Sequence, residues 1–252
     1  MDSMVGQAVV ITGAATGIGR SAALLLAAEG AHLVLGDINH AEAQETVREI
    51  TEAGGKASSF EADVSDDAQV RRLMAYAADT LGAITTVVNN AGVQRSGAVE
   101  HLDVRDWDLM MAVNARSCFL TARHVVPHLR KAGGGVIVNT ASLAGVKGGP
   151  GMTGYSASKG AIVAFSKALA MELAPDAIRV NCLCPGWIDT PFNRPAISYL
   201  GGEDQHRDLV RRTVPLGRQG TVYEAAQALL FLCSPASSYM TGQVLVVDGG
   251  VF

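Results

Sequence analysis

Short runs of β-branched and aliphatic residues alternate along the chain with Ala-rich or amphipathic stretches, and the alternation holds almost to the end. Ala8–Thr12 (AVVIT), His32–Asp37 (HLVLGD), Lys56–Glu61 and Ile84–Asn89 read as four strands, and Val136–Ala141, Ile178–Leu183 and Val244–Val247 as three more. Helices are predicted over Ile18–Glu29, Ala41–Ala53, Asp66–Leu81, Val104–Lys131 and Tyr155–Leu173. Thr221 and Glu224 have the spacing of a capping box that opens a last helix ending at Cys233. Strands this uniformly apolar are expected where helices cover both faces. Regular strand–helix alternation implies right-handed crossovers and a mainly parallel sheet. The expected fold is therefore α/β: one doubly wound domain over residues 1–252, built on a mainly parallel seven-stranded sheet. Pro185–Gly220, polar and rich in Pro and Gly, breaks the rhythm, and its least regular part, residues 187–212, is expected to form a lid over a substrate.

Composition narrows the function classes. The net charge is −4, so no basic footprint for nucleic acid or an anionic membrane is present. The longest apolar stretch, Ala22–Ala28, falls far short of the ~20 residues of a membrane span. Met1–Met4 carries neither the basic nor the apolar segment of a secretory leader, and a soluble, cytoplasmic protein is expected. Cys118, Cys182, Cys184 and Cys233 match no zinc or C-x-x-C spacing and read as free thiols in or near the core. His124 and His128 are four apart on a predicted helix, but no acidic partner or third ligand is evident in the sequence. They read as helix surface or packing, and no metal is expected.

Glycine is over-represented, at 28 residues, and it gathers in turns. Gly13, Gly17 and Gly19 lie where the first strand passes into the first helix, with Thr16 and Ile18 between them. Glycines at such a junction let the backbone turn sharply and approach a pyrophosphate, with helix N–H groups aimed at it. The spacing is G-x-x-x-G-x-G, and no Gly-Lys-Ser/Thr follows to make a P-loop. Asp37 closes the second strand, where a carboxylate accepts hydrogen bonds from the adenosine ribose hydroxyls of NAD and repels the 2′-phosphate of NADP. Arg20 is the one nearby cation that argues the other way. Asp63 and Val64, after the third strand, are placed to touch the adenine edge.

Tyr155 and Lys159 stand four residues apart on one helix face. A phenol of pKa about 10 is a poor base near neutrality, and moving it to about 7 requires on the order of 4 kcal/mol. A unit positive charge at about 4 Å, in an effective dielectric of 20, supplies about that much. Ser142, at the end of the fifth strand, is placed to hydrogen-bond a substrate oxygen as charge develops on it.

Together these motifs resemble the short-chain dehydrogenase/reductase family in its compact, single-domain branch, and the likeness runs over essentially the whole chain. Thr12–Gly19 is similar to the family's cofactor turn, and Asn89-Asn90-Ala91-Gly92 to its stretch after the fourth strand. Asn114, Ser142, Tyr155 and Lys159 fall at its catalytic tetrad. Pro185-Gly186 followed by Ile188-Asp189-Thr190 resembles the segment that meets the nicotinamide, and Val247–Gly250 its C-terminal strand ending. The resemblance implies a Rossmann fold and the cofactor contacts Asn90, Ala91, Gly92, Pro185, Gly186, Ile188 and Thr190, with Thr190 on the carboxamide. It implies that Tyr155 exchanges a proton with the substrate oxygen and that Lys159 lowers its pKa and binds the nicotinamide ribose. Ser142 orients that oxygen, and Asn114 holds a water linking Lys159 to solvent. It also implies a homotetramer joined through the helices of Val104–Lys131 and Tyr155–Leu173.

The expected activity is NAD(H)-dependent hydride transfer between the nicotinamide and a secondary alcohol or ketone. The alternatives are a 3-oxoacyl-carrier-protein reductase and, in another class, a dinucleotide-binding sensor without turnover. Asp37 weighs against the first, because most such reductases prefer NADPH, and the intact tetrad weighs against the second. Trp187, Phe192, Tyr199 and Leu200 are expected to line the lid, with Met152 and Gln94 as further substrate walls. Arg194, Arg207, Arg211 and Arg212 read as a solvated face.

Overall fold

The apolar runs become seven strands: β1 (Ala8–Thr12), β2 (His32–Asp37), β3 (Lys56–Glu61), β4 (Thr86–Asn89), β5 (Gly135–Thr140), β6 (Ile178–Pro185) and β7 (Val244–Val247). They pair in the order β3-β2-β1-β4-β5-β6-β7, every neighbour parallel. This computed structural model describes residues 3–252; Met1 and Asp2, at the head of the stretch expected to carry no leader, lie outside the described residues. The first helices are α1 (Gly17–Ala28), α2 (His40–Glu52) and α3 (Asp67–Leu81). Then come α4 (Val104–Met110), α5 (Ser117–Lys131), α6 (Thr153–Leu173), α7 (Arg194–Tyr199), α8 (Glu203–Thr213) and α9 (Val222–Cys233).

Period-two alternation divides the core between the two faces of the sheet. Val9, Ile11, Leu33 and Leu35 pack with Leu26 of α1 and Leu229 and Leu232 of α9. Val10 and Val34 pack on the other face with Leu73 of α3, Leu129 of α5 and Leu173 of α6. The order reverses at β1, whose neighbours are β2 and β4, and that switch point opens a crevice at the carboxyl ends of the strands. Asn89 and Asn139 face each other across β4 and β5 there. Asn89 Nδ2 donates to Asn139 Oδ1 (2.8 Å), and Asn139 Nδ2 to Ser166 Oγ on α6 (2.9 Å), a buried polar chain that locks α6 to the sheet.

Two predicted elements need correction. The helix expected over Val104–Lys131 is not uniform, because Met111–Arg116 winds as a π-helix between α4 and α5. The irregular lid expected over residues 187–212 contains α7 and α8. A parallel bridge between Ile188 and Gly220 closes its base: Asp189 N donates to Gly220 O, and Gly220 N to Trp187 O, both at 2.9 Å. The four cysteines are free and buried. His124 does have an acidic partner: its Nε2 lies 2.8 Å from Asp67 Oδ1, tying α5 to α3. No helix among the described residues is long and apolar enough to cross a membrane.

Candidate active site

A cavity of about 1090 Å³ fills the crevice, its lining running from Asp37 to residues of the 187–213 segment. The glycine turn lies at its floor. Thr16 is extended (φ −141°, ψ 174°) and makes no side-chain cap, and no acidic residue occupies the first turn of α1. The leading N–H groups of the helix are thus left for an external anion. Gly13 has φ +66°, and a Cβ there would meet Ala91 Cα at 2.6 Å. The Asn-Asn-Ala-Gly stretch braces this turn, since Asn90 Nδ2 donates to Gly13 O (2.9 Å) and Asn90 N to Thr12 Oγ1 (3.2 Å). Asp37 accepts Ala15 N on Oδ2 and Asn39 N on Oδ1, each at 2.9 Å. Two of its roughly four acceptor sites remain for ribose hydroxyls. Arg20, the cation that weighed against NAD, is bound to Glu49 at 2.5 Å and does not line the cavity. Asp63 also lines the cavity, where it receives Ser65 N and Ser65 Oγ. This uncapped helix start, the glycine floor and the half-free carboxylate fit a dinucleotide.

Tyr155 and Lys159 are buried side by side at the middle of the cavity, with 6% and 2% exposure. Lys159 Nζ donates to Thr140 O at 2.9 Å and lies 5.9 Å from the Tyr155 ring centroid. Burial drives the phenol well above its ordinary pKa, a hydrogen bond with Ser142 pulls it down, and Cys184 pushes it up. Burial lowers Lys159. Both groups are thus biased toward neutrality before any ligand enters. The burial of the phenol opposes its ionisation and adds to what a positive charge beside it must offset. Ser142 Oγ accepts Ala144 N (3.1 Å), which holds the hydroxyl at the end of β5.

Asn114 sits inside the π-helical segment, fully buried and away from the cavity wall. Its carboxamide accepts Val93 N (2.8 Å) and donates to Val93 O (2.9 Å) and to Ser158 Oγ (2.9 Å). Ser158 in turn donates to Tyr155 O at 2.8 Å. The side chain thereby joins the 93 loop to the backbone of α6.

The other expected contacts Gly17, Ile18, Val64, Ala91, Gly92, Pro185, Gly186, Ile188 and Thr190 line the cavity, as do Gln94, Met152, Trp187, Phe192 and Leu200. Gly19 and Tyr199 do not. Gly19 faces Gly13 O, and Tyr199 packs its ring against Gly151. Arg194 lines the cavity rim, whereas Arg207 pairs with Asp204 (3.3 Å) on the outer surface. Trp187 meets His206 of α8 edge-on, ring centroids 4.6 Å apart, so α8 packs directly on the floor of the lid. Sequence reasoning missed Leu109, Val113, Leu209, Thr213 and Val251 as wall residues. The period of α8 signals Leu209 and Thr213, and no local pattern signals Val251.

A family model described as Enoyl-(Acyl carrier protein) reductase matches residues 13–252. The chain is 38% identical over 246 residues to a 3-oxoacyl-[acyl-carrier-protein] reductase of Thermotoga maritima, covering 98% of each. It is 39% identical over 241 residues to the cyclohexanol dehydrogenase of Acinetobacter sp. (strain SE19), covering 95% of this chain and 92% of that one. A solved 7α-hydroxysteroid dehydrogenase, complexed with NADH and 7-oxo glycochenodeoxycholic acid, matches with a TM-score of 0.92 and 33% identity, over 99% of this chain and 96% of that one. The chain belongs to the short-chain dehydrogenase/reductase family. It is an oxidoreductase acting on CH–OH/C=O groups with a nicotinamide dinucleotide.

Proposed function

We propose that the protein interconverts a secondary alcohol and its ketone with NAD(H) rather than NADP(H). The observation that carries the reading is the burial of Tyr155 and Lys159 side by side in the cavity, with Ser142 on the same cavity wall. When bound, the oxidised dinucleotide supplies the acceptor for the two electrons and hydrogen leaving the carbinol carbon, and a positive ring beside the phenol. Tyr155 takes the hydroxyl proton as its phenolate and returns it in reduction. Ser142 donates to the substrate oxygen, Lys159 holds the phenolate charge, and Asn114 fixes the backbone beneath both. The Gly13–Gly19 turn, Asp63, Val64, Asn90–Gly92 and Pro185–Thr190 hold the dinucleotide. Residues 1–252 act as one unit, with residues 187–212 as its lid.

Cofactor choice rests on Asp37, whose cavity end is lined by the carboxylates Asp37, Glu42 and Asp63 and by no Lys or Arg, Arg20 being bound to Glu49. A 3-oxoacyl-carrier-protein reductase is the second reading, favoured by the Thermotoga relative and by Arg194 at the rim. Initial rates with NAD and NADP at equal concentration, with cyclohexanol as probe, separate the two. NAD is expected to win by at least about tenfold, and Asp37→Ala to narrow the gap by about 10–100-fold, the worth of hydrogen bonds to a charged group. A wild-type preference for NADP would overturn the assignment.

The reading includes a cytoplasmic homotetramer. Val104, Trp107 and Phe119 near the π-helical segment and Met171 on α6 are exposed. On α9, Tyr223 and Phe231 are also exposed. Light scattering should return about four times 26.2 kDa, and a monomer mass would remove this part.

A further inference from the structure

Gln94 is 4% exposed, lines the cavity, and its Oε1 has no hydrogen-bond partner among the described residues. Buried side-chain acceptors normally find a donor, so this one calls for an explanation. Its position is fixed from both sides. Val93 is clamped by the Asn114 carboxamide through its N–H and its C=O. The Gln94 carbonyl accepts Arg95 Nη1 at 2.9 Å, and Arg95 Nε is anchored on Asp106 Oδ1 of α4 at 3.2 Å. The backbone that carries the side chain is thus held in place by groups that never contact the carboxamide. The cavity wall includes the apolar side chains Leu109, Val113, Met152, Leu200 and Leu209, with Asn193, Arg194 and Thr213 among its polar members. A buried, unpaired acceptor in such a wall is how a pocket selects a donor on its ligand.

We propose that Gln94 accepts a hydrogen bond from a second hydroxyl on the substrate, so that the protein prefers diols to simple secondary alcohols. The inference rests on the alcohol reading above and names the substrate class of that site. Oxidation of one hydroxyl of the diol gives a hydroxyketone, with two electrons and one hydrogen passing to NAD⁺ and one proton released. The second hydroxyl is untouched and serves only in recognition. A site built around a hydroxyl discriminates against the analogue lacking it, because the buried acceptor is then left unpaired.

The test compares cyclohexanol with cyclohexane-1,2-, 1,3- and 1,4-diol in the full-length protein. kcat/KM is measured with NAD, and each compound's affinity for the protein–NADH complex is read from NADH fluorescence. At least one diol is expected to exceed cyclohexanol by about tenfold in both readouts, and Gln94→Met to bring both ratios near one. Equal kcat/KM and equal affinity for cyclohexanol and every diol in the wild-type protein would overturn the inference, whether or not the variant folds. So would a Gln94→Met protein that keeps the ratios, or that lowers all four compounds in the same proportion. Oxidation of none of the four counts against the alcohol reading itself, and the inference then stands or falls on the affinity ratios.

Discussion

Tyr155→Phe is expected to lower turnover by about 10²–10⁴-fold, the usual contribution of a positioned acid or base, while NADH still binds. The variant removes one oxygen from a buried ring whose neighbours, including the Phe192 ring at 6.1 Å, remain in place. Its fold should therefore survive, and the loss should appear in kcat. The size of the effect follows from how little else in the cavity can take the proton. Ser142 is a far weaker base than a phenolate, and Lys159 is committed to Thr140 O. Burial also opposes ionisation of the phenol, so Tyr155 becomes a useful base only when the lysine and a positive ligand ring act together. Steady-state rates together with a fluorescence titration of NADH check this. Near-normal turnover would remove Tyr155 from the mechanism.

Gly19→Ala is expected to be the most damaging small substitution in the cofactor turn. A Cβ at this position would fall 2.0 Å from Gly13 O and 2.5 Å from Asn90 Nδ2. The carbonyl is backbone and is already held by Asn90, so neither neighbour can swing aside, and α1 must shift off the turn. Overpacking of this kind costs about 1–3 kcal/mol or more. The same shift misplaces the uncapped helix start, so NADH affinity should fall with stability. Gly97→Ala is the control, because a Cβ there meets nothing within 4 Å, and its effect should stay within about 0.5 kcal/mol. Thermal unfolding and NADH titration of both variants make the comparison. Equal behaviour would show that close packing at Gly19 is unimportant.

Most strands were legible because a sheet covered on both faces demands uninterrupted apolar runs, and β1, β2 and β4 to β7 lie where those runs lie, whereas the edge strand β3, KASSFE, is mostly polar. The candidate catalytic residues were legible as chemistry, since Tyr155 and Lys159 needed only helical spacing to be placed together. Gly19 was read as part of the turn, and the structure adds a packing reason for it, since a Cβ there would meet Gly13 O. The π-helical winding of Met111–Arg116 left no trace in the hydrophobic pattern, since it depends on Asn114 bonding across to Val93 and Ser158. Helix α8 was passed over because EDQHRDLVRRT carries a single apolar pair. Yet its acidic first turn, Glu203 and Asp204, and basic last turn, Arg211 and Arg212, match the helix dipole and mark both ends. Partners distant in sequence, such as Asp67 for His124, follow from the docking of α3 on α5 and have no local signature.

Direct hydrogen transfer is the centre of the account, and a carbinol-deuterated alcohol tests it most directly. Cyclohexanol carrying deuterium at its oxygen-bearing carbon is oxidised with NAD, and the NADH formed is examined by mass spectrometry and NMR. One deuterium per NADH, at C4 of the dihydronicotinamide, is the expected result. Unlabelled NADH, with the label in water, would contradict it.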